Sequence, residues 1–259
     1  MKVVILCGGK GTRIRELTEN IPKPLITLDG RPLIWHIMNV YYQYGFNDFI
    51  LPIGYKGEKI KEYFINSPWI NSDLIIDNRE GNFKITLLRG LDKWRITFID
   101  TGEETMTGSR IKKIEPYIED DEFMLTYGDG IADININKLL EFHREMGKIA
   151  TMTGIKARSQ YGILEVTDGI AQRFAEKPEM DQIINGGFFV LRKDIFKYID
   201  DEDGNCVFEK EPLEKLVKDK QLSVYIHDGY WIAVDTYKDY VEINKNWNSI
   251  KKKIYKNED

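Results

Sequence analysis

A buried strand that runs directly into a glycine-rich loop restricts the fold of this chain more than any other feature. The stretch VVILCGGKGTR, residues 3–13, begins with aliphatic residues and then has three glycines within four positions. An unbroken aliphatic run bounded by glycines is typical of a short strand that is covered on both faces. Glycines bring backbone N–H groups close to a ligand, and Lys10 and Arg13 add positive charge. The segment predicts a strand followed by a phosphate-binding loop, although a plain tight turn has a similar composition.

Two common phosphate-binding motifs do not fit this loop. A Walker A loop requires a lysine after its last glycine, but Gly11 is followed by Thr12. A dinucleotide-binding fingerprint requires a third glycine at the position where Ile14 stands. The loop therefore belongs to neither of these classes.

The residues after the loop alternate between helical and strand patterns. Residues 31–46 have apolar side chains at helical intervals, with Pro32 suited to the first turn and Gly45 to the end. Residues 48–55 then predict a strand, and residues 57–64 predict a helix. This alternation predicts a doubly wound, Rossmann-like α/β fold with a mixed, mostly parallel sheet and helices on both faces. Ligands of such sheets bind outside the carboxyl ends of the strands.

The later part of the chain adds strands of a different kind. Residues 122–130 predict a buried strand that ends in an acidic turn. Within the less regular residues 66–93 only residues 83–88 predict a strand, and residues 94–102 predict another. Residues 149–192 contain four strand-like segments in quick succession, which predicts a small antiparallel β addition. Residues 222–234 predict paired strands, and a C-terminal helix is expected from Thr236.

Composition excludes several classes of protein. The net charge of −5 argues against a general nucleic-acid surface, and no apolar run reaches the roughly 18 residues of a membrane span. The chain has two cysteines, Cys7 and Cys206, and no secretory signal pattern, so we expect no disulfide framework and a cytoplasmic location. The histidines at positions 36, 143 and 227 lack metal-ligand spacing and are interpreted as structural.

Charged residues follow several predicted strands and loops. Lys23 lies between two prolines in residues 22–25, where the backbone is stiff. Asp129 and Asp235 each follow a predicted strand, although a lone aspartate before a helix is often a cap. Two carboxylates at the same edge of a sheet form an oxygen-ligand site that suits Mg²⁺. The sequence therefore predicts a Mg²⁺ site opposite the glycine loop.

A further set of polar residues suits a phosphorylated sugar. Glu176 can accept hydrogen bonds from sugar hydroxyl groups, and Lys177 can bind a phosphomonoester. Asn185, followed by Gly186 and Gly187, offers amide donors on a backbone that a ligand can approach closely.

Together these motifs resemble those of the sugar-1-phosphate nucleotidyltransferases. The signature of that family is written G-G-x-G-T-R with a downstream P-K-P, and both parts occur here within residues 8–24. Further matches run almost to the C-terminus, with residues 66–93 the weakest part: GRPLIWHIM, GYKGEKIKEYF, DTGEETMTGSRIKKI, LTYGDGIADIN, FAEKP, INGGFFVL and VDT. Within the family the chain is most similar to the glucose-1-phosphate cytidylyltransferases.

The resemblance implies a reaction. A nucleoside triphosphate and a sugar 1-phosphate would give a nucleotide sugar and pyrophosphate with Mg²⁺, CTP and glucose 1-phosphate being the expected pair. It also implies a homo-oligomer, with no nucleic-acid or membrane partner. The single expected domain, residues 1–259, would divide into a nucleotide-binding part at about 1–130 and a part at about 131–259 that contains the sugar-phosphate site and the C-terminal helix. UTP or dTTP, another phosphorylated acceptor, and a nucleotide-sugar sensor without turnover stay open as alternatives.

The resemblance also assigns roles to residues. For the nucleotide it implies Leu6, Gly8, Gly9, Gly11, Thr12, Arg13, Lys23, Thr105, Arg110 and Gly128. For the sugar phosphate it implies Tyr161, Gly162, Glu176, Lys177, Asn185 and Gly187, and for the metal Asp129 and Asp235. The residues expected to take part in catalysis are Arg13, Lys23, Asp129, Lys177 and Asp235.

The chain departs from the family pattern beside these residues. Cys7 replaces a common alanine, and Glu104 stands where a small hydroxyl residue is usual. Residues 231–236 lack the proline that often precedes the metal-binding aspartate, and residues 156–162 read KARSQYG where relatives resemble FPPGRFG. These positions flank the expected base and sugar pockets.

Overall fold

A computed structural model of the chain describes residues 1–255, except residues 71, 80, 82–83, 89–91, 160 and 202. The strands of this part of the chain are β1 (Val3–Leu6), β2 (Thr27–Leu28), β3 (Arg31–Pro32), β4 (Asp48–Ile53), β5 (Leu74–Asp77), β6 (Lys84–Leu87), β7 (Arg95–Asp100), β8 (Glu122–Tyr127), β9 (Gly130–Ala132), β10 (Ala150–Arg158), β11 (Ile163–Thr167), β12 (Ile170–Ala175), β13 (Glu179–Arg192), β14 (Leu222–His227) and β15 (Trp231–Ala233). The α-helices are α1 (Arg15–Thr18), α2 (Leu33–Tyr42), α3 (Gly57–Ile70), α4 (Thr107–Lys113), α5 (Ile136–Met146), α6 (Glu211–Lys218) and α7 (Tyr237–Ile254).

Seven strands form the central sheet in the order β14-β10-β13-β8-β1-β4-β7. Strand β1 pairs in parallel with β4 and β8, and β4 pairs in parallel with β7. On the other side, β13 is antiparallel to both β8 and β10, while β14 is parallel to β10. The expected mixed, mostly parallel sheet is therefore confirmed.

Helices cover both faces of this sheet. Because successive side chains of a strand point to opposite faces, Val3 and Ile5 belong to one buried cluster, whereas Val4 and Leu6 belong to the other. Helices α2, α5 and α7 contribute to the first cluster, and α4 and α6 contribute to the second. Among the described residues, no helix is both long and apolar enough to cross a membrane.

Small antiparallel pairs lie outside the central sheet. Strand β11 pairs with β12, β2 with β3, and β5 with β6. The first of these pairs confirms the predicted antiparallel addition. The third contains the strand predicted at residues 83–88, of which residues 84–88 are described, and β5 adds a strand that was not expected.

The expected pairing of strands within residues 222–234 is wrong. Strand β14 extends the central sheet beside β10, and β15 pairs with β9, the short strand directly after Asp129. Alternating side chains identify both strands but not their partners, because pairing depends on which backbone edges are free in the fold. The observed pairing of β15 with β9 brings residues 231–235 close to Asp129, beyond the carboxyl end of β8.

Candidate active site

A cavity of about 340 Å³ opens at the carboxyl ends of β1 and β8. All ten residues expected to bind the nucleotide line it, as do both expected metal ligands: Leu6, Gly8, Gly9, Gly11, Thr12, Arg13, Lys23, Thr105, Arg110, Gly128, Asp129 and Asp235. Residues distant in sequence meet here because the parallel strands end at the same edge of the sheet.

Three of the four glycines that line the cavity have a structural reason to lack a side chain. A Cβ atom on Gly128 would lie 2.7 Å from the carbonyl oxygen of Leu6, and Gly11 has a positive φ of 61°. A Cβ atom on Gly8 would lie 2.1 Å from the guanidinium carbon of Arg110, whereas one on Gly9 would meet nothing within 4 Å. Gly9 is thus the glycine of the loop with open space in front of it.

Arg110 holds the backbone of the glycine loop. Its side chain is buried, at 4% exposure, and donates to the carbonyl oxygens of Gly8 at 3.0 Å, Gly102 at 2.8 Å and Glu103 at 3.0 Å. Burial lowers the pKa of this guanidinium. Although Arg110 lines the cavity, its hydrogen bonds fix the backbone around the cavity rather than reaching into the open space.

Lys23 lies between the two predicted metal ligands. Its Nζ atom is 2.8 Å from Asp129 Oδ2 and 2.9 Å from Asp235 Oδ1, and its side chain is only 12% exposed. Arg13 approaches Asp235 from the solvent side, with Nη1 3.4 Å from Oδ1. The structure therefore brings together four of the five residues expected in catalysis.

Strands β9 and β15 set the spacing of the two carboxylates. Gly130 pairs with Ala233, and the N–H of Val234 donates to the carbonyl oxygen of Asp129 at 2.9 Å. The alternative that Asp235 is a helix cap fails, because Thr236 caps α7 in a reciprocal capping box with Asp239. Asp235 is therefore free to act in the cavity.

The pair of carboxylates fits a hard divalent cation. Carboxylate oxygens are preferred ligands of Mg²⁺, which also retains water and binds phosphate oxygens. Within the described part of the chain, no group of three or more His, Cys, Asp or Glu side chains could hold a metal on its own. Asp129 and Asp235 suit an ion whose other ligands are water and substrate phosphate.

The predicted sugar-phosphate residues fall into two groups. Asn185 and Gly187 lie beside Tyr127, a residue of the cavity wall: Asn185 Nδ2 is 3.4 Å from the Tyr127 hydroxyl, and the Gly187 N–H donates to Asn185 Oδ1 at 2.8 Å. The Trp231 indole donates to the carbonyl oxygen of Gly186 at 2.7 Å, so this turn is fixed from two sides.

The second group lies at the base of the β11–β12 hairpin. Glu176 and Lys177 are exposed, and so is Tyr161. Gly162 faces Glu176, since a Cβ atom on this glycine would lie 3.0 Å from Glu176 Oε2. Lys177 has a φ of 46°, which is uncommon for a lysine. None of these residues lines the cavity at the ends of β1 and β8.

A family model described as nucleotidyl transferase matches residues 2–249. The chain belongs to this family. A probable glucose-1-phosphate cytidylyltransferase of Bacillus subtilis is 52% identical over 248 residues, which cover 96% of each chain. The glucose-1-phosphate cytidylyltransferase of Salmonella typhimurium is 41% identical over 249 residues, which cover 95% of this chain and 96% of the relative.

Solved structures share the fold of this nucleotidyl transferase. HddC from Yersinia pseudotuberculosis has a TM-score of 0.69 at 24% identity, and the matched residues cover 95% of this chain and 99% of the HddC chain. A putative glucose-1-phosphate thymidylyltransferase from Bacillus anthracis has a TM-score of 0.70 at 16% identity, with coverage of 95% and 94%. At these identities the similarity establishes the Rossmann-like fold alone.

Sequence reasoning missed several residues of this nucleotidyl transferase. Tyr127 and Thr107 line the cavity, Trp231 fixes the Gly186 carbonyl, and Glu209 binds the Tyr127 hydroxyl. Only Tyr127 carried a signal, since it stands two residues before a predicted metal ligand. Cys7 also lines the cavity, but its side chain is buried and burial raises the pKa of its thiol, so it packs as a neutral thiol.

The departure at Glu104 has a structural explanation. Its carboxylate forms a hydrogen-bonded ion pair with Lys10 of the glycine loop, and Glu103 lies 3.9 Å from the same ammonium group. The Glu104 hydrogen bond raises the pKa of Lys10. A small hydroxyl residue at this position could not reach across in the same way, so Glu104 joins two loops that border the cavity.

Proposed function

We propose that this protein transfers the cytidylyl group of CTP to glucose 1-phosphate, giving CDP-glucose and pyrophosphate. The observation that carries the proposal is the arrangement of Lys23 between Asp129 and Asp235, on the wall of a cavity that also has a glycine loop. Two relatives that match nearly the whole chain, at 52% and 41% identity, bear the name of this activity. The choice of CTP and glucose follows these relatives.

The reaction proceeds by attack of a phosphate oxygen of the sugar phosphate on the α-phosphorus of the nucleotide. That oxygen is already an anion near neutral pH, so no general base and no covalent enzyme intermediate are needed. Catalysis then depends on alignment of the two substrates and on neutralisation of the developing negative charge. Cationic side chains at the phosphates therefore matter more than proton transfer.

The residues of this chain divide these tasks. Lys177 binds and orients the phosphate of the sugar, while Arg13 and Lys23 stabilise the departing pyrophosphate. Asp129 and Asp235 hold Mg²⁺, which when bound supplies positive charge to the phosphate oxygens. Before substrate binds, the Lys23 ammonium offsets the repulsion between these two carboxylates, which keeps them close together.

The chain is expected to use its two halves differently. Residues 1–130 supply the glycine loop, Lys23 and one metal ligand, whereas residues 131–259 supply the sugar-phosphate side chains and the second metal ligand.

A homo-oligomer is also part of the proposal. Leu164 and Phe174 support it, because these directly opposed residues of the hairpin are 56% and 64% exposed, and apolar side chains that lie side by side at the surface are typical of an interface.

Pyrophosphate release tests the function. The protein is incubated with Mg²⁺ and with CTP, UTP, dTTP, ATP or GTP, each against glucose 1-phosphate and several other phosphorylated acceptors. Release that is strongest with CTP and glucose 1-phosphate supports the proposal. Stronger release with another pair would retain the chemistry and change the substrates. Binding of nucleotide without release for any pair would favour a sensor.

A further inference from the structure

Glu209 binds two residues of the cavity wall at once. The Tyr127 hydroxyl donates to Oε1 of Glu209 at 2.6 Å, and the Thr107 hydroxyl donates to Oε2 at 2.6 Å. Thr107 Oγ1 in turn accepts a hydrogen bond from the N–H of Phe208 at 3.0 Å. Both carboxylate oxygens are therefore engaged, although the side chain lies in the exposed segment before α6.

These bonds determine the direction of the next hydrogen bond. A phenol has one proton, and Tyr127 gives it to Glu209, so its oxygen can only accept from another group. The group that faces the free lone pair is Asn185 Nδ2, at 3.4 Å.

The orientation of Asn185 then fixes the turn that follows it. With Nδ2 directed at Tyr127, the amide oxygen faces the N–H of Gly187 and accepts from it at 2.8 Å. Gly187 has a φ of 80°, and a Cβ atom on it would lie 2.7 Å from Cδ2 of the Tyr127 ring. The ring thus touches the turn on one side and the nucleotide cavity on the other.

We propose that Glu209 is a positioning residue for the acceptor substrate, which acts through Tyr127 to hold the Asn185–Gly187 turn in its binding orientation. This inference rests on the proposed function, in which that turn binds the sugar phosphate. Glu209→Gln replaces the carboxylate with a carboxamide, which donates hydrogen bonds as well as accepting them. The Tyr127 hydroxyl is then no longer restricted to donating to residue 209. The substrate affected through the Asn185–Gly187 turn is therefore the sugar phosphate.

A double-mutant cycle tests this role. Glu209→Gln, Tyr127→Phe and the double variant are compared with the parent for kcat and for the KM values of both substrates. We expect each single variant to raise the KM for glucose 1-phosphate about tenfold, with the KM for CTP changed by less than about twofold. Because Glu209 acts through Tyr127, the double variant is expected to match Tyr127→Phe.

A matched control and a binding measurement complete the experiment. Glu211→Gln alters a nearby exposed carboxylate that pairs with Lys215 at 2.8 Å, and it is expected to leave both KM values unchanged. Calorimetric titration of each folded variant with CDP-glucose measures binding without turnover and is expected to show the same loss. Tyr127→Phe retains the ring and by itself removes both phenol hydrogen bonds, so it tests the inference even if Glu209→Gln melts at low temperature.

Three results would overturn the inference. The first is a KM for glucose 1-phosphate that is unchanged in Glu209→Gln, and the second is a KM for CTP that rises as much as the KM for glucose 1-phosphate. The third is a double variant in which the effects of the two single substitutions add, because additive effects would mean that Glu209 contacts a substrate directly. If the parent enzyme uses a different acceptor, the proposed function fails in the parent itself. The cycle is then run with the acceptor that the parent does use, so the two failures remain distinguishable.

Discussion

Asp129 and Asp235 face the same ammonium group, although they are far apart in the sequence. Lys23 Nζ lies 2.8 Å from Oδ2 of the first and 2.9 Å from Oδ1 of the second. Two carboxylates this close repel each other unless a cation lies between them. The Lys23 ammonium therefore offsets the repulsion between these two carboxylates.

Replacement of Lys23 tests the role of its charge. We expect Lys23→Ala to lower kcat about a hundredfold, equivalent to about 3 kcal/mol, because the ammonium stabilises charge that develops as pyrophosphate leaves. Lys138→Ala, on an exposed position of α5, is the control and should retain the parent rate. Turnover of Lys23→Ala within about threefold of the parent would refute this role.

Replacement of Asp129 tests the metal site. Asp129→Asn is expected to abolish Mg²⁺-dependent activity while the fold is retained, since the amide keeps the size of the side chain but not its charge. Binding of Mn²⁺ with nucleotide, followed by electron paramagnetic resonance, should weaken in parallel, and circular dichroism should stay unchanged. Full activity at low Mg²⁺ would remove Asp129 from the metal site.

Two neighbouring glycines offer a matched comparison of packing. Gly8→Ala would place a methyl group 2.1 Å from the guanidinium carbon of Arg110, whereas Gly9→Ala would meet nothing within 4 Å. We expect Gly8→Ala to lower the free energy of unfolding by about 1–3 kcal/mol and to raise the KM for CTP. Chemical denaturation measures the difference, and equal stability of the two variants would contradict the proposed support of the loop by Arg110.

Acid is expected to destabilise the protein through His36. Burial lowers the pKa of this side chain from 6.5 to about 4, while hydrogen bonding to the Leu28 carbonyl acts in the opposite direction. Below pH 6.5 the unfolded chain takes up a proton that the folded chain excludes until about pH 4. The neutral His36 side chain therefore makes its full contribution to the free energy of unfolding above pH 6.5. As the pH falls from 6.5 to about 4, this free energy decreases by about 3 kcal/mol because of His36.

Urea unfolding from about pH 7 to about pH 4.5 measures this effect against His36→Gln, whose side chain does not titrate. The variant should lose less stability than the parent over the window. An equal pH dependence in both proteins would show that His36 does not contribute.

The sequence predicts the sheet and the edge that carries the site, because these follow from local patterns. Local features mark where strands lie and where they end: the aliphatic run at residues 3–6, the glycines after it, and the carboxylates after later strands. In a parallel sheet such positions fall at one edge, so the nucleotide residues could be grouped before the structure was known.

Contacts between distant loops could not be predicted in this way. Arg110 was expected among the nucleotide-binding residues, but its hydrogen bonds reach the backbone carbonyl oxygens of Gly8, Ile53 and Gly102, a role that depends on burial. Glu209 meets Tyr127 across 82 positions of sequence, and neither residue stands in a pattern that indicates the other. The partner of β15 was missed for the same reason, since a strand pattern does not specify which edge it joins.

Exchange of labelled pyrophosphate tests the central claim most directly. The protein is incubated with Mg²⁺ and labelled pyrophosphate, once with CDP-glucose and once with CTP alone. A single direct displacement predicts labelled CTP from CDP-glucose and no label in CTP when the sugar nucleotide is absent. Failure to convert CDP-glucose would contradict the proposed substrates, and label entering CTP without it would require a covalent nucleotidyl-enzyme intermediate.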